Sequence, residues 1–146
     1  GHIFFNDGYF GHEDGAYASL RLLQYLERRQ KTLGQAVTEL PQYVSSPEIK
    51  VGLPDAIKFD FVDKKLAPAL AKKMPGAKRI TIDGIRLDTD SAMTIIRASQ
   101  NGPYLTVKFE AKTTAEYESI KAWLKKLLVS FKEIDWSKGV NLASLE

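Results

Sequence analysis

Met93-Thr94-Ile95-Ile96-Arg97-Ala98-Ser99-Gln100-Asn101-Gly102-Pro103-Tyr104-Leu105-Thr106-Val107-Lys108-Phe109-Glu110-Ala111 decides how this chain folds. Two runs rich in β-branched and aromatic residues flank a polar stretch, the pattern of antiparallel strands and their connection. The pattern predicts strands over 93–98 and 104–111. In the second run Leu105, Val107 and Phe109 share one face, while Tyr104, Thr106, Lys108 and Glu110 share the other. Such alternation predicts a sheet with one buried face. The connection reads two ways. Asn101-Gly102 is a strong hairpin signal. Equally, Arg97 offers a planar fork of donors, Ser99 a hydroxyl, and Gly102 close backbone approach, which together make an anion cradle.

Outward from this stretch the α+β pattern continues. Upstream, Asp83-Gly84 predicts a two-residue turn joining strands over 79–82 and 85–88. Ile49, Val51 and Leu53 alternate as a further strand, and Pro54 suits the first position of a helix. Ile57, Phe61, Leu66, Ala69 and Leu70 follow helical spacing, and Pro68 predicts a kink or break near Ala67. Downstream, Thr113-x-x-Glu116 is a capping box opening a last helix. Tyr117, Ile120, Leu124, Leu127, Leu128 and Phe131 form its buried face. The order reads β-α-β-β-β-α: an α+β unit with a four-stranded, largely antiparallel sheet and two helices on one face, TBP-like. Residues 135–146 show little pattern and are expected to be a loose tail.

Residues 1–43 read differently. Ile3-Phe4-Phe5 predicts a short strand, and Asp14 an N-cap for a helix over 15–29. That helix carries one apolar stripe through Ala16, Leu20 and Leu23, and another through Ala18, Leu22, Tyr25 and Leu26. A helix apolar on two sides expects neighbours on both. The piece therefore reads as a strand-helix remnant of an α/β domain. Starting at Gly1 without a Met, directly in a strand-like run, the chain reads as a part of something larger. A second short helix is expected over 32–40 and a linker over 41–47.

Composition narrows the function classes. With 146 residues, 44% hydrophobic and 27% charged, the chain suits a globular protein of one domain plus part of another. Having no cysteine, it holds no disulfide, thiolate metal site or Cys nucleophile, and it suits a reducing, cytoplasmic setting. No run approaches the ~18 apolar residues of a membrane span. The net charge of +3 is modest, and the lysines of 64–79 fall at helical spacing, as on a solvated helix face. A nucleic-acid-binding sheet would show aromatic rings for stacking. The open face offers Lys50, Thr81, Arg86, Thr106 and Lys108, with Tyr104 as its clear ring.

Four stretches, taken in order, resemble the C-terminal part of the α-D-phosphohexomutases of the phosphomannomutase/phosphoglucomutase type. They are Gly1-His2-Ile3-Phe4-Phe5, Asp14-Gly15-Ala16-Tyr17-Ala18-Ser19-Leu20-Arg21-Leu22-Leu23, Ser45-Ser46-Pro47-Glu48-Ile49, and Arg97–Pro103 followed by Lys108-Phe109-Glu110-Ala111. The resemblance implies the end of a sugar-binding third domain over 1–43 and a phosphate-binding fourth domain over 44–134. It implies an isomerase parent that moves phosphate between O1 and O6 of a hexose, by way of an active-site phosphoserine and Mg2+. The chain holds neither the Asp-rich metal loop nor that serine's context, so the fragment alone is expected to be inactive and to bind no metal. The expected partners are glucose or mannose 1- and 6-phosphates and the 1,6-bisphosphate, with no nucleic acid and no membrane.

The resemblance implies that Arg97, Ser99, Gln100, Asn101 and Gly102 bind the substrate's phosphate, and that His2 touches the sugar and serves proton transfer. The family usually has Asn then Thr after Arg-x-Ser, where this chain has Gln100 and Asn101. The phosphoglucosamine branch typically carries Arg-Pro-Ser-Gly-Thr-Glu-Pro, which this loop lacks.

Overall fold

A computed structural model of the chain describes residues 2–146. Gly1, which opens the first matched stretch, lies outside them. The chain divides into two units, one ending at Gln42 and one spanning Tyr43–Glu146.

In the first unit Asp14 caps α1 (Gly15–Arg29) as expected, its carboxylate accepting the Tyr17 N–H at 2.9 Å. Thr32 caps α2 (Leu33–Thr38) through a reciprocal capping box with Gln35. The strand expected at Ile3-Phe4-Phe5 is reduced to an isolated bridge between Phe4 and Glu13. No residue of α1 is buried, and Leu20 and Leu23 stand 64% and 62% exposed.

The second unit is α+β, with a wholly antiparallel sheet of seven strands rather than the four expected. In chain order they are β1 (Val44–Ser45), β2 (Ile49–Gly52), β3 (Lys78–Ile80), β4 (Ile85–Asp88), β5 (Ala92–Ala98), β6 (Tyr104–Ala111) and β7 (Asp135–Val140). They lie side by side as β3-β4-β5-β6-β2-β7, with β1 on the same flank of β6 as β2. Val44 faces Ala111 and Ile49 faces Val107, a slip of one residue across Ser46-Pro47-Glu48. Pro47 cannot donate to the ladder, which is why the strand breaks there. The linker expected over 41–47 thus includes a strand.

Alternation holds along β5, and along β6 it breaks at Thr106, expected on the open face but 8% exposed. Ile96, Leu105, Val107 and Phe109 are fully buried, against Phe61, Leu66, Leu70, Leu124 and Leu128 from the helices. Each such side chain contributes roughly 1.5–3 kcal/mol. This core fixes where the ends of β5 and β6 emerge.

Between β2 and β3 the expected single helix is compound. Residues 54–57 form a turn, in which Ile57 N–H bonds the Pro54 carbonyl at 3.2 Å, and α3 (Lys58–Phe61) starts only after it. A π-helical segment (Val62–Leu66) then leads into α4 (Ala67–Lys73). The missing N–H of Pro68 forbids a regular ladder at that point, and the widened turn absorbs the mismatch. The break forecast near Ala67 takes this form. The last helix is α5 (Thr114–Val129), with Ile120, Leu124 and Leu128 buried. Only half of its capping box forms. Thr113 accepts the Glu116 N–H, but the Glu116 carboxylate turns to the Ser91 hydroxyl at 2.7 Å.

Two expectations are corrected. The hairpin register sets Lys78 opposite Asp88 and Ile80 opposite Arg86, which places Thr81 opposite Ile85 and leaves Ile82, Asp83 and Gly84 as the loop. Gly84 has φ +76°, as a three-residue loop closed by a left-handed residue requires. Ile82 is accordingly 94% exposed rather than part of a strand. The tail is not loose either: β7 pairs β2, and Leu145, in a 3-10 turn (Leu142–Leu145), is 1% exposed. No helix among the described residues is long and apolar enough to cross a membrane.

Candidate functional site

The hairpin joining β5 to β6 is not made by its Asn-Gly pair. Neither Asn101 nor Gly102 has positive φ, which the favoured two-residue turn would demand of both. Ser99 N–H donates to the Tyr104 carbonyl at 2.9 Å, so the whole span Ser99–Pro103 forms the loop. Inside it Ser99 Oγ accepts the Asn101 N–H at 3.2 Å, a serine turn that leaves the hydroxyl proton free to donate elsewhere. A side chain at Gly102 would press on the Tyr104 ring, its Cβ 3.2 Å from two ring carbons.

Arg97 stands at the mouth of this loop on the open face of the sheet, cross-strand from Thr106. One arm of its guanidinium, Nη1, bonds Asp83 Oδ2 at 2.9 Å, with the two side chains 40% and 48% exposed. An exposed pair of this kind contributes at most ~1 kcal/mol. It holds the guanidinium in place while leaving its remaining donors available. Asp83 reaches Arg97 because Gly84 packs on the neighbouring backbone: a Cβ there would lie 2.3 Å from the Ile96 carbonyl oxygen and 2.6 Å from Arg97 Cα. Two hairpins therefore meet at one point.

The five residues expected to bind phosphate lie together in this unit, with different commitments. Gln100 and Asn101 are exposed, Gly102 is half-buried, and Ser99 is 8% exposed. The Asn101 N–H is taken by Ser99, whereas the N–H groups of Gln100 and Gly102 have no partner among the described residues. Beneath the loop sits a residue the sequence reading passed over. Lys58 is 5% exposed; its ammonium donates to the Ser99 carbonyl at 2.5 Å and the Gly102 carbonyl at 3.0 Å, and pairs with Asp55 at 2.8 Å. One signal could have found it. Lys58 falls on the same helical stripe as Phe61 and Val62, where a charge is unexpected unless paired.

His2 belongs to the first unit and is exposed, its Nδ1 lying against the Glu13 carboxylate. Nearby, Tyr9 stacks on Tyr17 with ring centroids 3.9 Å apart, Phe5 meets Tyr17 edge-on, and Arg21 lies 5.5 Å from the centre of the Phe5 ring. The Tyr9 hydroxyl donates to the Asp14 carboxylate. That bond, helped by the Tyr17 N–H, holds the Asp14 carboxyl below the usual range, and the same partner pushes the Tyr9 phenol up. Among the described residues no three His, Cys, Asp or Glu side chains converge as a metal site.

Comparison with known proteins finds relatives for the chain. Residues 48–127 match the family described as the C-terminal domain of phosphoglucomutase/phosphomannomutase. A phosphomannomutase/phosphoglucomutase of Pseudomonas syringae pv. tomato is 38% identical over 123 residues, covering 83% of this chain and 25% of that protein. A phosphoglucomutase of Neisseria meningitidis is 36% identical over 136 residues, covering 93% of this chain and 29% of that protein. A crystal structure of a Burkholderia thailandensis phosphoglucomutase/phosphomannomutase family protein superposes with a TM-score of 0.67 at 30% identity, covering 89% of this chain and 26% of that one. The chain spans only about a quarter of the length of the relatives it matches.

Proposed function

This chain belongs to the phosphoglucomutase/phosphomannomutase family, and from that premise we propose that its Arg97–Gly102 loop anchors the non-reacting phosphate of a hexose phosphate. One observation carries the reading: among the described residues Arg97 keeps free donors at the mouth of a loop whose Gln100 and Gly102 N–H groups are unengaged. A phosphate dianion needs charge neutralisation and several donors in a fixed array. Arg97 supplies the charge and a planar fork. Ser99 supplies a hydroxyl, Gln100 and Gly102 supply backbone N–H groups, and the Gln100 and Asn101 amides stand exposed beside them. Gripping phosphate rather than a particular sugar carbon lets the site accept either end of a 1,6-bisphosphate. Binding energy gathered here orients the far end of the sugar for transfer.

The parent activity we propose is isomerisation of glucose or mannose phosphates, in a cytoplasmic setting that suits a chain without cysteine. His2 would meet the sugar and relay a proton, a task suited to an imidazole. We place the Mg2+ site of the parent outside this chain, whose sequence holds no Asp-rich run of the family's kind. With phosphoserine and metal supplied elsewhere in the parent, the chain alone binds sugar phosphate without turning it over.

A nucleic-acid role has less support, because the open sheet face carries Lys50, Arg86 and Lys108 beside Tyr104 and lacks a run of stacking rings. Titrating glucose 1-phosphate into 15N-labelled chain at fixed ionic strength separates the readings. Millimolar binding with shifts centred on Arg97 and Ser99–Gly102 is expected. A silent loop, or tight oligonucleotide binding that collapses with salt, would contradict the proposal.

A further inference from the structure

We infer that Lys58 is a positioning residue for phosphate capture, setting the direction in which the loop presents its donors; this rests on the phosphate-anchoring reading of the loop. An ammonium has three protons, and Lys58 commits its charge inward: to the Ser99 carbonyl, the Gly102 carbonyl and the Asp55 carboxylate. At 5% exposed it carries a buried charge, which is tolerated only when so paired and hydrogen-bonded.

The consequence follows from peptide geometry. In a trans peptide the C=O and the following N–H point in opposite directions. Drawing the Ser99 carbonyl in toward Lys58 therefore turns the Gln100 N–H away from the interior, and that N–H has no partner among the described residues. At the other end Lys58 and the Tyr104 N–H share the Gly102 carbonyl, at 3.0 and 2.8 Å, and its peptide nitrogen belongs to Pro103 and offers no proton in any case. Two of the loop's carbonyls, those of Ser99 and Gly102, are thus held by the ammonium and not offered to a dianion. Were the Ser99–Gln100 peptide to flip, an oxygen would face the phosphate where a donor now stands. Lys58 acts through the loop and not by touching the ligand. Asp55, 65% exposed at its side chain, balances the charge from the far side.

The test uses the full chain, 15N-labelled, with glucose 1-phosphate as probe, in wild type and Lys58→Met. Losing a charge-assisted hydrogen-bond set should weaken Kd at least about tenfold. The Gln100 amide should lose its ligand response while the folded dispersion of β5 and β6 persists, and Lys58→Arg should recover part of the affinity. A folded Lys58→Met with wild-type Kd and an unchanged Gln100 response overturns the inference. If wild type itself shows no loop response, the phosphate reading fails and takes this role with it. If Lys58→Met does not fold, the wild-type ammonium decides. In chain labelled with 13C as well as 15N, slow exchange with scalar couplings from Nζ to the Ser99 and Gly102 carbonyl carbons, unchanged by ligand, supports the role. A freely exchanging ammonium refutes it.

Discussion

Arg97→Ala is expected to weaken capture of glucose 1-phosphate by roughly 10–100-fold, the span set by losing hydrogen bonds to a charged partner at about 1.5–3 kcal/mol. Folding should barely change. The guanidinium is 40% exposed and its protein partner is the half-exposed Asp83, so the lost pair costs at most ~1 kcal/mol. This split between affinity and stability is the useful feature. A side chain that only stitched two hairpins together would show the small stability change and no ligand effect. Arg97→Lys should recover little, because a point charge cannot reproduce the planar fork. Kd from amide shifts and the urea midpoint, measured on the same samples, give both numbers. An unaltered Kd would reduce Arg97 to a partner for Asp83.

Gly84→Ala should do the opposite, damaging the scaffold first. At φ +76° an alanine is strained, and its Cβ would meet the Ile96 carbonyl oxygen at 2.3 Å and Arg97 Cα at 2.6 Å. Those are backbone atoms of a central strand and cannot swing aside. Backbone strain of about 1–3 kcal/mol, with a similar overpacking cost, predicts a loss of roughly 2–5 kcal/mol. Urea unfolding should show a lower midpoint with an unchanged m value. Because the displaced atoms carry Arg97, phosphate affinity should fall in whatever remains folded. A change within about 0.5 kcal/mol, as at an ordinary surface site, would mean the loop does not close on Gly84 as described.

These two positions show what the residues disclose and what they conceal. Gly84 was readable as a turn, yet the loop came out one residue longer because Ile82 looks like a strand residue and is 94% exposed. Local apolarity carries no information about which side of a register a residue falls on. The Asp14 cap and the alternation along β6 were legible because each depends on neighbours in sequence. β7 was not. As an edge strand with Trp136 resting partly on the core, it has no inner face to write as an apolar repeat, and its place depends on β2, far earlier in the chain.

The site divides along the same line. Arg97 and Ser99 could be named from their types and their place between two strands. Asn101-Gly102 pointed to a tight turn it does not make; the loop is wider, and two of its carbonyls are bound by Lys58, 41 residues before Ser99. A lysine among apolar helix positions gives little away until the carbonyls it serves are in view. Pro68 was a partial success: it announced a disruption but not the π-helical segment (Val62–Leu66) that accommodates it.

A crystal structure of this chain with glucose 1-phosphate bound tests the central claim most directly. Phosphate oxygens are expected about 2.7–3.0 Å from the Arg97 guanidinium, the Ser99 hydroxyl and the Gln100 N–H, with the sugar extending away from the loop. A phosphate seated anywhere else, with Arg97 still engaged by Asp83 alone, would contradict it.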